Sequence, residues 1–354
     1  MDIRARELGE RQLSNLVTLT GLDAQRAPIR DGFRALLDGL PDAPARPVPS
    51  RTLTTSGYPA ELGLTIDRGG ALGLKYTVDL FSSPGATGAL ETVRRYARVA
   101  PLPQLERCAS SVLERATNAD VSVYWSAGFA RAAEPRMRMH LIGHDGAFGP
   151  YVLRGLVSCG CDSTAIDALL RAAESIGRSG INFVGLGVDG AGRLRCKGYL
   201  GTNLYMDLRS VTRLASALGL STGRALALVR WYRHFIGDHV GQLGAFGVGV
   251  DLMAPAGRGA VEAYAYPGNV DLARLRPRID ALVRGRGHAN TLAKLWALLD
   301  GDSPAGMYLA GCGTETATFA RFGQVTIYLG VGERQRVANG ESRAMLDTLM
   351  SAHV

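Results

Sequence analysis

Arg195, Lys197 and Tyr199 alternate along one short stretch, LRCKGYL, so a strand there presents all three on one face. The pattern returns along the chain with a change of residue at each turn. Lys75 stands in LKYTVDL, Arg138 and His140 in MRMHLIG, Glu262 and Tyr264 in VEAYAYP, and Thr326 and Tyr328 in VTIYLGV. Successive copies lie 59 to 65 residues apart. Lysine is scarce, three residues against 37 arginines, yet Lys75 and Lys197 occupy the same phase of the repeat. A compact ammonium placed twice at equivalent points suggests a point charge aimed at one target. Buried cations are costly unless an anion neutralises them. An anion with several oxygens and two or three charges, such as a diphosphate, could be shared by all of them. Tyr199, Tyr264 and Tyr328 would add hydroxyl groups for that anion and aromatic faces. The competing reading is a solvated outer strand face.

Glu61, in SGYPAELGLTID, alternates against Leu62 and Leu64 and so belongs on the same wall as Lys75. A carboxylate there can accept a proton or hold an N–H group, or simply balance one of the cations. Glu262 is a weaker instance of the same kind. Trp125, on a strand, is a candidate for the lumen, whereas Trp231 and Trp296 fall on helices and read as core. Gly185, Gly187 and Gly190 match a dinucleotide-binding glycine pattern, but the residues that follow read as a strand, and pyrophosphate needs a helix N-terminus there. The chain has no adjacent Asp pair, so a diphosphate would be neutralised by side-chain cations without a metal or other cofactor. Five cysteines without zinc spacing read as free thiols.

The elements that must position these groups follow from the same repeat. Residues 1–45 read as two helices and PDAPARPVPS as a linker, the barrel repeats run from about 55 to 335, and residues 336–354 close the chain as a helix. Within the repeats, five strand pairs are each followed by helical stretches amphipathic enough to pack outside a sheet. Ten antiparallel strands in five such repeats predict an α+β fold, a barrel in an outer ring of helices. The apolar strand face meets the helices and the charged face lines a lumen wide enough for a ligand. One domain of 354 residues is expected. The net charge of +8 is spread through helices rather than gathered in a tract. No apolar run suits a secretory signal or a membrane span. A cytoplasmic protein is expected, a monomer or weak homodimer, with small-molecule substrates and neither nucleic acid nor membrane as partner.

The motifs resemble those of aromatic prenyltransferases of the dimethylallyltryptophan synthase type, whose repeats form the ABBA or PT barrel. SGYPAELGLTI resembles that family's Gly-x-Pro-x-Glu strand, LKYTVD the strand after it, and RCKGY matches its Arg-x-Lys-x-Tyr. The resemblance implies that Lys75, Arg138, His140, Arg195, Lys197, Tyr199, Tyr264 and Tyr328 bind the diphosphate of dimethylallyl diphosphate, the co-substrate. It also implies that Tyr199, Tyr264 and Tyr328 shield the carbocation, and that Glu61 holds the indole N–H and assists proton loss. Tryptophan or a derivative is the implied acceptor; tyrosine, another phenol or a peptide is the alternative, and a non-catalytic barrel for a hydrophobic anion a further one. Two positions depart from the pattern. Arg138-x-His140 stands where fungal relatives have Lys-x-Tyr, a form similar to that of cyanobactin peptide prenyltransferases, and Glu262 replaces an amide.

Overall fold

Strands with one apolar face must bury it, and the ten strands here do so by closing on themselves beneath a sleeve of helices. The computed structural model describes residues 3–40, 59–67, 69–80, 85–99, 103–116, 121–131, 133–143, 148–189, 191–200, 207–235, 246–265, 272–283, 287–300, 307–316 and 322–331. The closing helix expected over 336–354 lies outside these residues.

The strand pairs are β1 (Ala60–Ile66) with β2 (Leu72–Asp79), β3 (Val121–Ala130) with β4 (Ala133–Gly143), β5 (Phe183–Val188) with β6 (Leu194–Leu200), β7 (Phe246–Asp251) with β8 (Val261–Ala265), and β9 (Met307–Thr316) with β10 (Phe322–Val331). Every neighbouring pair is antiparallel, and β10 returns to β1 with Tyr328 opposite Gly63. Closure leaves no strand edge unpaired in the barrel. Helices α1 (Ile3–Thr20) and α2 (Arg26–Asp38) precede it. After the first pair come α3 (Gly85–Val99) and α4 (Pro103–Leu113), and after the second α5 (Pro150–Arg154) and α6 (Ser163–Glu174). Then follow α7 (Leu208–Ala217) and α8 (Thr222–Phe235), and α9 (Leu272–Val283) and α10 (Ala289–Asp300). The residues ahead of α6 carry no helical period long enough to be read from the sequence. The structure adds α5, opened by Pro150 at a position where proline's missing N–H costs nothing, and a 3-10 turn over Gly155–Cys159.

The outward strand face and the helices share one continuous core. Leu62, Leu64, Leu74, Val123, Met139, Leu141, Leu186 and Ile327 are all essentially inaccessible. Helix α6 buries Ile166, Leu169, Ala172 and Ala173 at helical spacing, and Asp162 caps it by accepting the N–H groups of Thr164 at 2.8 Å and Ala165 at 3.1 Å. It lies close against β6 because Gly198 faces it. A Cβ there would stand 2.2 Å from Leu169 Cδ2. Tyr76 also faces outward, edge-on to Phe33 of α2 at 5.2 Å. Trp125 proves to belong to this outer core, opposite Val78 and Met139, so it does not line the lumen; Tyr124 turns inward instead.

The glycine pattern at Gly185 and Gly187 lies within β5 and leads into a hairpin. Asp189 accepts the backbone N–H groups of Ala191 at 3.1 Å and Arg193 at 3.0 Å, and Gly192 takes a φ of 73° that suits glycine. The strand β6 that follows removes the helix terminus a nucleotide would need. Among the described residues no helix is long and apolar enough to cross a membrane.

Leu186→Ala, in the wall beneath the helices, is expected to cost about 2–5 kcal/mol of stability, read as a lower urea midpoint with an unchanged slope. A loss below about 0.5 kcal/mol would show that this face is not the main core.

Candidate active site

Inside the barrel, large and small residues alternate from strand to strand. On odd-numbered strands the inward positions are repeatedly glycine, and the even-numbered strands supply the cations and tyrosines, while Glu61 on β1 and Phe183 on β5 come from odd-numbered ones. Gly63 lies between Lys75 and Tyr328 in register, Gly185 between His140 and Lys197, Gly249 between Tyr199 and Glu262, and Gly313 between Tyr264 and Thr326. The rings lie down over these bare positions. A Cβ on Gly249 would stand 2.8 Å from Tyr199 Cε1 and 3.2 Å from Tyr264 Cε2. One on Gly313 would stand 2.7 Å from Tyr264 Cδ1 and 3.3 Å from Tyr328 Cε2. The signal was present in the sequence as GLG, GVG and GCG on alternate strands, and it concerns space rather than nucleotide binding.

The result is an aromatic belt. Phe183 meets Tyr199 edge-on at 4.4 Å, Tyr199 lies 5.7 Å from Tyr264, and Tyr264 lies 6.3 Å from Tyr328. Lys75 Nζ closes the arc 5.2 Å from the Tyr328 ring centre. The three tyrosines, with Phe183 against them, form a cluster separate from the outer core. Phe183 was missed in the sequence because it opens an odd-numbered strand, where the pattern of cations and tyrosines does not run; its counterpart in the preceding repeat is Tyr124, opposite His140 as Phe183 is opposite Tyr199.

Three cations share this interior. Arg138 Nη1 donates to Tyr199 Oη at 3.2 Å. Lys197 is paired with one oxygen of Glu262, and the Tyr264 hydroxyl donates to the other. Lys197 and Glu262 lie deep within the barrel, yet their side chains keep 13% and 23% exposure, as groups lining a hollow do. Burial lowers the pKa of Lys197, an effect that Glu262 opposes. Burial and the Arg138 charge likewise depress Lys75. Glu262 falls to about 2: burial pushes it upward, but Lys197 and Arg138 outweigh that and hold it ionised. Burial raises Tyr199 to about 12.

His140 differs from the cation expected of it. Burial, with Lys75, Arg138 and Lys197 close by, holds its pKa well below the ordinary value, so it is neutral. Its Nε2 lies 2.9 Å from Ser126 Oγ, which lies 2.8 Å from Thr77 Oγ1. Arg195 differs in position. By register it shares the inward face, but it sits beside the hairpin turn, where Asp189 Oδ2 accepts from its Nη2 at 3.0 Å, and its side chain is 43% exposed. It belongs to the rim, because the turn acid that shapes the hairpin also takes its charge.

Glu61 is 5% exposed, and its Oε2 has no hydrogen-bond partner among the described residues. Burial raises its pKa above the ordinary 4.5, with Lys75 pulling the other way. A carboxyl group in that state takes up protons more readily than an exposed one. Among the described residues no cluster of His, Cys, Asp or Glu could hold a metal ion, and the cysteines are free thiols.

A closed antiparallel barrel of ten strands within a helical sleeve is the ABBA or PT barrel. The chain is similar in structure to 6-dimethylallyltryptophan synthase from Micromonospora olivasterospora, solved with DMASPP and Trp, at TM-score 0.66 and 18% identity over 92% of this chain and 97% of that one. The 5-dimethylallyltryptophan synthase from Streptomyces coelicolor gives TM-score 0.64 and 18% identity over 94% and 98%. The prenyltransferase PriB, bound to its product diphosphate, gives 0.66 and 20% over 92% and 96%. No protein-family model and no curated protein matches the sequence.

Gly249→Ala is expected to push the Tyr199 and Tyr264 rings off the wall, altering the near-ultraviolet circular dichroism, at a stability cost of about 1–3 kcal/mol. An unchanged spectrum would mean that the rings do not rest on this position.

Proposed function

We propose that this protein is an aromatic prenyltransferase that moves a dimethylallyl group from dimethylallyl diphosphate to an indole, tryptophan or a derivative of it. The observation that carries the reading is the inner wall itself: Lys75, Arg138 and Lys197, a belt of three tyrosines, and a buried carboxyl group, Glu61, near Lys75. The structural neighbours that hold tryptophan with a dimethylallyl diphosphate analogue support it.

In this mechanism the three cations bind the diphosphate, assisted by hydroxyl groups of the tyrosines and by neutral His140. The allylic C–O bond breaks and its electron pair leaves with the diphosphate. One unit-charge contact at about 4 Å contributes roughly 4 kcal/mol at an effective dielectric near 20, before desolvation, so several of them lower the ionisation barrier greatly. The faces of Tyr199, Tyr264 and Tyr328 hold the allyl cation at about 0.5–2 kcal/mol each and exclude water. An indole carbon supplies the electron pair of the new C–C bond. The ring then loses its proton to Glu61, which the raised pKa suits to accepting it. Arg195, held at the rim by Asp189, takes no part in these steps.

Incubation with dimethylallyl diphosphate and tryptophan in EDTA is expected to yield tryptophan carrying one dimethylallyl unit by mass spectrometry. No turnover with any indole, phenol or peptide would favour a binding barrel. Glu61→Gln should lower kcat by about a hundredfold or more while leaving diphosphate affinity within a factor of about three, in keeping with the loss of a general base. Full activity would remove Glu61 from the mechanism. Because the Glu61 pKa is raised, the wild-type rate should fall on acidification with a midpoint above 4.5, the carboxyl group being protonated below it. A midpoint at or below that value would argue against Glu61 as the base.

A further inference from the structure

Glu262 is the interior group that the mechanism above does not use, and its position is unusual. Across the ladder, the neighbour of Lys197 on β7 is Asp251, yet Lys197 does not bond to it. Asp251 Oδ1 accepts the backbone N–H of Met253 at 3.0 Å. Lys197 instead reaches over β7, past the bare Gly249, to a carboxylate on the strand beyond. Both oxygens of that carboxylate are taken, one by Lys197 and one by Tyr264. Arg138 also stabilises its charge.

These partners are two of the three interior cations and one of the three tyrosines. We propose that Glu262 is a tethered counter-anion that occupies the diphosphate-binding groups in the free protein and must surrender them when a prenyl diphosphate enters. The proposal rests on the reading that the lumen binds such a donor. The charges make the exchange necessary. Lys75, Arg138 and Lys197 carry three positive charges between them, about what a diphosphate brings in negative ones. With Glu262 and the ionised Glu61 counted as well, the negative charges of the loaded interior outnumber the positive ones in a low-dielectric space. Donor binding is therefore a replacement of one anion by another. The same competition helps expel the diphosphate product, since the carboxylate is attached to the wall and ready to reclaim Lys197 and Tyr264. Glu262 thus acts as a positioning and affinity-setting residue.

The test is calorimetric titration of the full chain with inorganic pyrophosphate at fixed pH and salt, comparing wild type, Glu262→Gln, Lys197→Ala and the double variant. Glu262→Gln is expected to bind pyrophosphate at least about tenfold more tightly and to show stronger product inhibition. Lys197→Ala should bind at least about tenfold more weakly, because it also leaves Glu262 as a bare anion facing the ligand. The double variant should recover part of that loss. If Glu262→Gln misfolds, Glu262→Ala supplies the same comparison, and a merely structural role cannot produce tighter binding in either. Equal or weaker binding by the folded Glu262 variants, with wild type binding normally, overturns the counter-anion alone. Absence of pyrophosphate binding in both wild type and Glu262→Gln overturns the diphosphate reading of the lumen, and the proposal with it.

Discussion

Like charges held together inside a protein are the central constraint on this molecule. Burial depresses both lysine pKa values and the Arg138 charge adds to it, so the interior is electrostatically strained until anions answer it. The protein supplies one answer of its own in Glu262. Much else follows from that tension. His140 cannot also be protonated, Glu61 stays available as a carboxyl group that binds protons readily, and phenol hydroxyl groups are turned toward charged neighbours.

That tension would largely vanish in an open sheet, where water would screen the charges. Closure through β1 and β10 places every inward residue within one enclosed wall. The glycines then decide what fits. A side chain at Gly185, Gly249 or Gly313 would crowd the His140 and tyrosine rings that the neighbouring strands aim inward. At these glycine positions the odd strands contribute only backbone, and that economy lets large rings lie side by side around the lumen.

Much of this was legible in the sequence, for a physical reason. Alternation with period two sorts side chains without any knowledge of strand order, so Lys75, Arg138, Lys197 and Tyr328 could be set on one face from their own neighbours. Trp125 should have been sorted the same way. Val121, Val123, Trp125, Ala127 and Phe129 form the apolar row, and tryptophan goes with it. What alternation cannot supply is contact across strands. The ion pair of Lys197 with Glu262 spans an intervening strand, and the capture of Arg195 depends on the shape of a hairpin turn. The neutrality of His140 depends first on its burial and then on the charges of Lys75, Arg138 and Lys197, two of which come from other repeats. The short helix α5 escaped notice because five residues do not establish a period.

The barrel wall separates two bodies of packed side chains, a large one under the helices and a small one around Tyr199, Tyr264 and Tyr328. Folding free energy resides overwhelmingly in the first, because that is where most of the apolar surface disappears. The second is accordingly loosely governed by the demands of foldability. Pocket substitutions can therefore be made at little cost to the shell, and the architecture itself tolerates wide change of sequence, since a neighbour shares it across 92% of this chain at 18% identity.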